Sequence, residues 1–138
     1  MLIIPPTGPI PDKPLLIGDV ADLTGLSLRS IRHYEELGLV SPESRTPGGF
    51  RLFDQEAVER LRLVMILKIL DLSLEEIGPI VDAYRDTEQG RATAEQAEVL
   101  ATAQNRVQEA RSSLEARLAL TETLGRQLRM LSSNATCA

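Results

Sequence analysis

The apolar residues in the first third of the chain are spaced for short helices separated by glycine. From residue 16 to 23 they recur at helical intervals, which predicts a short first helix. Gly25 follows this segment, and Ser27 can cap a second helix over residues 28–37 by accepting a hydrogen bond from a free backbone N–H. A helix, a glycine-containing turn and a second helix form a helix-turn-helix motif.

After the second helix the spacing changes to that of a small β-hairpin. Residues 39–53 have apolar ends, the sequence Pro47-Gly48-Gly49 in the middle, and alternating apolar and basic residues after it. Gly48 and Gly49 are expected to supply the positive φ angles of a tight turn. A hairpin that follows a helix-turn-helix motif is typical of a winged DNA-binding module.

Two more helices are predicted beyond the hairpin. Asp54 is a candidate N-cap for a helix over residues 55–70. Ser73 and Glu76 form a capping box for a helix over residues 74–85, which Gly78-Pro79 is expected to bend. The predicted apolar stripe of the helix over residues 55–70 is Val58, Leu61, Met65 and Ile69.

The last third of the chain predicts one long helix with a heptad repeat. Thr93 and Gln96 form a second capping box, and the segment from 94 to 131 contains one glycine and no proline. Counting heptads from Leu100, eight of the ten a and d positions are apolar. An isolated helix cannot bury such a seam, so pairing with a second copy, parallel or antiparallel, is expected. The candidate dimerisation residues are Leu100, Val107, Leu114, Leu124, Leu128 and Leu131.

Composition excludes several classes of protein. Trp is absent and only two Phe and two Tyr occur, too few for an aromatic platform that stacks single-stranded bases. With a single histidine, His33, and a single cysteine, Cys137, one chain cannot assemble a four-ligand zinc site or an internal disulfide. No nucleophile lies beside a histidine base in a known motif, and no glycine-rich phosphate loop occurs, so no catalytic residue is predicted.

The distribution of prolines and of apolar runs indicates a tail at the start of the chain and the cellular location of the protein. Five of the eight prolines fall within the first 14 residues, so residues 1–13 are predicted to be a disordered tail. This start lacks the charged and apolar regions of a signal peptide, and no apolar run reaches the length of a membrane-spanning helix. We therefore expect a cytoplasmic protein with no membrane association.

Net charge by itself does not indicate DNA binding, since the chain carries a charge of −5. The placement of the cations is more informative, because Arg29 and Arg32 lie three residues apart and share the outward face of the second predicted helix. Arg45 and Arg51 flank the predicted hairpin turn. These arginines could equally be solvated surface groups, because helix pairs of this kind also occur in unrelated folds.

The residues from Leu16 to Ile80 include the segments IGDVADLTGLSLRSIRHYEELGL and TPGGFRLF. This part of the chain resembles the DNA-binding domain of MerR-family transcriptional regulators. The long heptad helix is similar to that family's antiparallel dimerisation coiled coil. The resemblance implies a mainly α fold, a winged helix-turn-helix with a small β-hairpin wing followed by a long dimerisation helix. It also implies a homodimer that bends and untwists a pseudo-palindromic promoter spacer and thereby controls RNA polymerase.

The same resemblance implies roles for individual residues. Arg29 and Arg32 correspond to positions that approach bases and phosphates, and Tyr34 to a tyrosine whose hydroxyl holds a phosphate. For Tyr34, packing in the core is the alternative. Arg45 and Arg51 correspond to wing positions near the DNA backbone, and Gly49 to the wing turn.

The sequence does not identify an effector. Metal-sensing members of the family have cysteines around the dimerisation helix, whereas this chain has only Cys137, so no metal site and no cofactor are predicted. Only residues 132–138 follow the long helix, so we expect no appended ligand-binding domain. Acidic residues cluster around the fourth predicted helix, where a solvated face is a simpler interpretation than a cation site.

Two alternatives remain open from the sequence. One is a repressor or constitutive DNA-bending protein that responds to no effector, and the other is a protein-interaction module that docks on another regulator. The predicted organisation is a Pro-rich tail over residues 1–13, a winged helix-turn-helix domain over 14–86, a linker over 87–93, a coiled-coil helix over 94–131 and a short tail over 132–138.

Overall fold

The computed structural model describes residues 8–136, so the first seven residues of the predicted tail, and Cys137, lie outside the described residues. The chain divides into two compact units, one ending at Leu100 and the other beginning at Ala101. In chain order the elements are β1 (Leu15–Leu16), α1 (Ile17–Thr24), α2 (Leu28–Glu36), β2 (Ser44–Arg45), β3 (Arg51–Phe53), α3 (Gln55–Lys68), α4 (Leu74–Glu88) and α5 (Ala94–Thr136).

Helices α1 and α2 form the predicted helix-turn-helix motif. The turn between them begins at Gly25, whose φ of 76° lies in the left-handed region that favours glycine. Ser27 caps α2 as expected, because its hydroxyl accepts a hydrogen bond from the Ser30 N–H at 3.1 Å. The buried hydroxyl of Thr24 donates to the Val20 carbonyl at 2.8 Å, which satisfies a polar group inside the core.

The wing belongs to a three-stranded antiparallel sheet with the order β1-β3-β2. The hairpin of β2 and β3 matches the prediction, whereas β1 was not predicted. Leu15 pairs with Phe53 and Leu16 with Leu52, so β1 joins the wing to the start of α1. A strand of two residues shows no alternation of its own, and its partner lies more than thirty residues away in the sequence.

One hydrophobic core unites α1 to α4 and the sheet. In α3 the buried residues include Val58 and Leu61, as predicted, but Val64 and Leu67 are buried in place of Met65 and Ile69. The second half of the predicted stripe was wrong because α4 packs against this part of α3, and the residues that face α4 are the ones that are buried. Other fully buried members of the core include Leu15, Val20, Ile31, Val40, Phe53, Ile77 and Val81.

Helix α4 begins at the predicted capping box and continues through Pro79 to Glu88. The Ser73 hydroxyl accepts from the Glu76 N–H at 3.2 Å, and the Glu76 carboxylate accepts from the Ser73 N–H at 2.9 Å. Gly78 lies so close to Leu39 that a β-carbon would come within 3.3 Å of its side chain. Glycine therefore permits the close packing of α4 on the core.

Ion pairs fasten α4 to its neighbours. The Arg85 guanidinium donates to the Glu56 carboxylate of α3 at 2.6 Å, and this hydrogen bond raises the pKa of Arg85. At the end of α4, the Asp86 carboxylate accepts from the side chains of Gln96 at 2.7 Å and Arg91 at 3.1 Å, and these bonds lower the pKa of Asp86. Asp86 thus links the end of α4 to the first turn of α5.

Helix α5 begins at the second predicted capping box, where the Gln96 side chain accepts from the Thr93 N–H at 3.0 Å. It continues beyond the predicted end at Leu131 to Thr136. Within residues 8–136, none of the helices combines the length and the apolar character needed to cross a membrane.

The segment before β1 contacts the folded domain. Ile10 packs against the hydrophobic core, and its carbonyl accepts a hydrogen bond from the Gln55 side chain at 3.1 Å. The Arg62 guanidinium donates to the Gly8 carbonyl at 2.9 Å and to the Leu23 carbonyl near the end of α1 at 3.2 Å. Residues 8–13, predicted to be part of a disordered tail, are therefore attached to α3, and Arg62 of α3 also binds the end of α1.

Candidate nucleic-acid interface

Helix α2 has one face in the core and one in solvent. Ile31 and Tyr34 are buried, whereas Arg29 and Arg32 are exposed. These two arginines line a shallow surface depression together with Ser30, His33 and Glu36. The predicted separation of inward and outward residues thus holds for these positions, while Leu28, at the start of the helix, is 40% exposed.

The side chains of the two arginines of α2 have no hydrogen bond or ion pair with any residue between 8 and 136. By contrast, ion pairs engage other arginines of the described chain, among them those at positions 51, 60, 85, 91 and 111. An exposed guanidinium without a protein partner keeps its donors available for a phosphate or a guanine edge. The solvent face of α2 therefore has the chemistry of a DNA-reading surface.

Tyr34 lies on the opposite side of α2 from most of these groups. It is 7% exposed and belongs to the hydrophobic core, which agrees with the packing alternative. Its ring is tilted by 40° against that of His33, with the ring centres 6.1 Å apart. No hydrogen bond engages its hydroxyl within the described residues, so the group can still donate to a phosphate.

The wing turn is built by residues 46–50. The Thr46 N–H donates to the Phe50 carbonyl at 2.8 Å, and the Gly49 N–H donates to the Thr46 carbonyl at 2.8 Å. Gly49 has a φ of 85°, as expected for the turn, whereas Gly48 does not adopt a positive φ. The prediction that both glycines need positive φ was wrong for Gly48, because one left-handed residue closes this turn.

Arg45 braces the same turn. Its guanidinium donates to the Gly49 carbonyl at 3.0 Å, and the residue remains exposed. Arg45 therefore makes a structural contact within the wing. Its guanidinium also has exposed N–H groups that could donate hydrogen bonds to DNA phosphates.

Arg51 is engaged with α2. Its Nε lies 2.6 Å from Oε2 of Glu35, and the side chains of these residues are 32% and 17% exposed, respectively. Both atoms are enclosed, and the N–H is not aligned for a hydrogen bond, so the contact is electrostatic. The predicted wing arginine thus ties β3 to the helix that carries Arg29 and Arg32.

Two residues near these groups were not predicted as functional. Glu35 of α2 is one of them, and its pairing with Arg51 of the wing cannot be read from helical spacing. Phe50 stands at the tip of the wing, where it is 69% exposed. The sequence signal is an aromatic residue directly after the turn glycine Gly49, which could have marked the wing tip as a contact surface.

The candidate dimerisation face of α5 is open in the single chain. Leu100 is partly exposed, while exposure reaches 59% at Leu114 and 65% at Leu131. An apolar stripe along a helix in water favours association with another apolar surface. The other seam residues are similarly exposed, namely Val107, Leu124 and Leu128.

Several of the acidic residues around α4 are engaged in intramolecular contacts. Asp82 pairs with Arg60 at 2.6 Å, Glu88 pairs with Arg85, and Glu76 belongs to the capping box. Within residues 8–136, no three or more His, Cys, Asp or Glu side chains are grouped so that they could hold a metal ion.

The chain is similar to known regulators in sequence and in fold. The family model described as MerR HTH family regulatory protein matches residues 15–84, just over half of the 138 residues. The HTH-type transcriptional regulator CueR of Salmonella typhimurium is 34% identical over 109 residues, which are 78% of this chain and 79% of CueR. Nodulation protein NolA of Bradyrhizobium sp. (strain NC92) is 39% identical over 66 residues, which are 48% of this chain and 28% of NolA.

Among solved structures, the fold resembles that of HiNmlR, a MerR family regulator lacking the sensor domain, bound to promoter DNA. The TM-score is 0.57 at 22% identity, over 77% of this chain and 79% of that one. This likeness concerns the fold, and the match to NolA spans less than a third of that protein. The family match over α1 to α4, the identity with CueR and the winged helix-turn-helix fold lead to one conclusion: the chain belongs to the MerR family of helix-turn-helix regulatory proteins.

Proposed function

We propose that this chain is a sequence-specific DNA-binding transcriptional regulator. The observation that carries the proposal is the solvent face of α2, where Arg29 and Arg32 are exposed and have no partner within residues 8–136. A helix of this kind enters the major groove, where arginine can bind guanine or phosphate in bidentate fashion. Membership of the MerR family supports the same function. The proposed DNA contacts are Arg29, Arg32, Tyr34, Arg45 and Arg51, with Gly49 shaping the wing.

The proposed active form is a homodimer. The apolar seam of α5, from Leu100 to Leu131, is covered by a second copy of α5 in an antiparallel coiled coil. A twofold dimer presents two α2 helices, and two such helices match the two half-sites of a pseudo-palindromic operator. The exposure of Leu114 and Leu124 in the single chain supports this assembly.

The proposed regulatory mechanism is deformation of promoter DNA. A dimer bound across a promoter spacer bends and untwists it, and this changes the relative placement of the two promoter elements that RNA polymerase contacts. No catalytic group, cofactor or metal is needed for this mechanism.

The direct test is binding of the purified protein to duplex DNA. The operator is selected from a pool that contains random duplexes and DNA from upstream of the chain's own gene. Fluorescence anisotropy then measures the affinity of the protein for the selected duplex. We expect saturable binding that resists unrelated competitor duplex and weakens linearly in the logarithm of salt concentration. If no duplex is selected, or if unrelated DNA competes equally, the protein is not a sequence-specific DNA-binding protein.

A second measurement addresses the mechanism. Fluorescent labels at the two ends of the selected operator should come closer together on binding, as bending requires. Transcription by purified RNA polymerase from that promoter should then change in the presence of the protein. Binding without a change in end-to-end distance would contradict the bending mechanism while leaving DNA binding intact.

A further inference from the structure

The contact between Arg51 and Glu35 separates the donors of the guanidinium into two groups. Nε is enclosed against Glu35 Oε2 at 2.6 Å. Nη1 and Nη2 have no partner in the described part of the chain, yet they are not enclosed, so they reach the solvent. One side of the arginine is therefore held by the protein, and the other side is open.

Arg51 borders a groove that a second arginine also lines. Arg51 lines this groove together with Arg32 of α2 and with Gly49 and Phe50 of the wing. The groove thus lies between the two elements that a winged helix-turn-helix uses on DNA. Asp19 and Asp22 of α1 also line it, and Asp19 accepts a hydrogen bond from the Leu16 N–H at 2.9 Å. With acids present, binding of a phosphate depends on where the guanidinium donors point.

We propose that Glu35 is a positioning residue for DNA binding: its carboxylate holds Nε of Arg51 so that Nη1 and Nη2 face the groove shared with Arg32, where a DNA phosphate binds. The inference rests on the proposed function and adds to it a residue that touches no DNA. The carboxylate also keeps β3 against α2, because the two groups join these elements directly.

The direction in which operator affinity changes when the charge of Glu35 is removed tests this role. Removing a negative charge close to DNA ordinarily strengthens binding, because repulsion with phosphates is lost. If Glu35 positions Arg51, the Glu35→Gln protein should instead bind its operator more weakly, by about fivefold or more, as expected for directly coupled groups. Glu36→Gln is the matched control, since Glu36 is the next residue of α2, is exposed and forms no ion pair in the described chain.

A double-mutant cycle identifies the route of the effect. In an Arg51→Ala background, Glu35→Gln should no longer weaken binding and should behave as Glu36→Gln does. Arg51→Lys, which keeps the charge but has one nitrogen in place of three, should also weaken binding of the operator. Thermal unfolding of each variant shows whether the domain remains folded, and if Glu35→Gln does not fold, Glu35→Asp and Arg51→Lys provide the comparison.

Each outcome has a distinct meaning. Failure of the unmodified protein to bind any selected duplex overturns the proposed function and this inference with it. If the unmodified protein binds and folded Glu35→Gln binds equally well or more tightly, only the positioning role is overturned. Equal weakening by Glu35→Gln with and without Arg51 also overturns it, because Glu35 would then act independently of that guanidinium.

Discussion

At the scale of single residues, neighbours on α2 have different tasks although they are only a few positions apart. Arg29 and Arg32 are exposed and unpaired within residues 8–136, Tyr34 is largely enclosed in the core, and Glu35 holds the wing. A helical turn of 3.6 residues accounts for this division, because positions one or two apart point in different directions. Substitutions in α2 should therefore separate DNA binding from stability.

Arg29→Ala or Arg32→Ala should each weaken operator binding by about 1–3 kcal/mol if the arginine binds a base edge in bidentate fashion. Neither change should lower the stability of the domain, because both side chains are exposed. Anisotropy titrations with operator and with unrelated duplex measure the two affinities. Arg129→Ala, which removes an exposed cation from α5, is the control for charge alone. Unaltered operator affinity in both α2 variants would reject α2 as the recognition helix.

Tyr34→Phe tests whether the tyrosine hydroxyl holds a phosphate. The ring stays in the core, so the free energy of unfolding should change little, whereas loss of a hydrogen bond to a charged phosphate should weaken binding by about 1–2 kcal/mol. The measurement is operator affinity at several salt concentrations, together with thermal unfolding. An operator affinity equal to that of the unmodified protein would leave Tyr34 with a packing role only.

At the scale of elements, strand β3 of the wing is held by two neighbouring elements. Strand β1 pairs with β3 along one edge, and the Glu35 carboxylate contacts Arg51 of β3 from α2. The turn at its tip depends on Gly49 and on the Arg45 guanidinium that binds the Gly49 carbonyl. Disturbing the turn should therefore change the presentation of the wing without unfolding the core.

Gly49→Ala should strain the wing turn by about 1–2 kcal/mol, because alanine disfavours the φ of 85° found there. Gly48→Ala is the matched control, since Gly48 has no positive φ and its β-carbon would be in ordinary contact with the Phe50 ring at 3.5 Å. We expect weaker operator binding and altered amide chemical shifts of residues 44–53 for Gly49→Ala alone. Equal effects of the two substitutions would contradict the role assigned to the left-handed residue.

At the scale of the whole molecule, function in our proposal depends on a second copy of the chain. The single chain leaves the apolar seam of α5 in solvent, and a palindromic operator requires two recognition helices. Dimerisation and operator binding should therefore be lost together when the seam is broken.

Leu114→Arg places a charge at an a position of the seam and should convert the dimer to a monomer. Operator binding should fall to the level of unrelated DNA, because one half-site makes few contacts. Light scattering gives the molecular mass, and anisotropy gives the affinity. Ala119→Arg, at an f position on the outer side of the same heptad region, should leave both unchanged. A dimer of normal mass from the Leu114→Arg protein would refute the proposed seam.

Local signals in the sequence determined much of this fold. The capping residues Ser27, Asp54, Ser73 and Thr93 each sit where a helix begins, because side-chain oxygens at these positions satisfy free N–H groups of the first turn. The outward face of α2 and the left-handed turn at Gly49 were likewise predictable, since they follow from helical spacing and from the conformational freedom of glycine.

Only the tertiary structure decided which distant groups meet. Four features depend on contacts between segments that are distant in the sequence or that belong to different elements. They are the pairing of β1, the attachment of residues 8–13 through Arg62, the burial of Tyr34 and the contact of Arg51 with Glu35. Periodicity reports which side of an element is apolar, but it does not report which partner that side contacts. For this reason the sequence indicated the exposed arginine face of α2, whereas the carboxylate that holds the wing arginine emerged only from the packed fold.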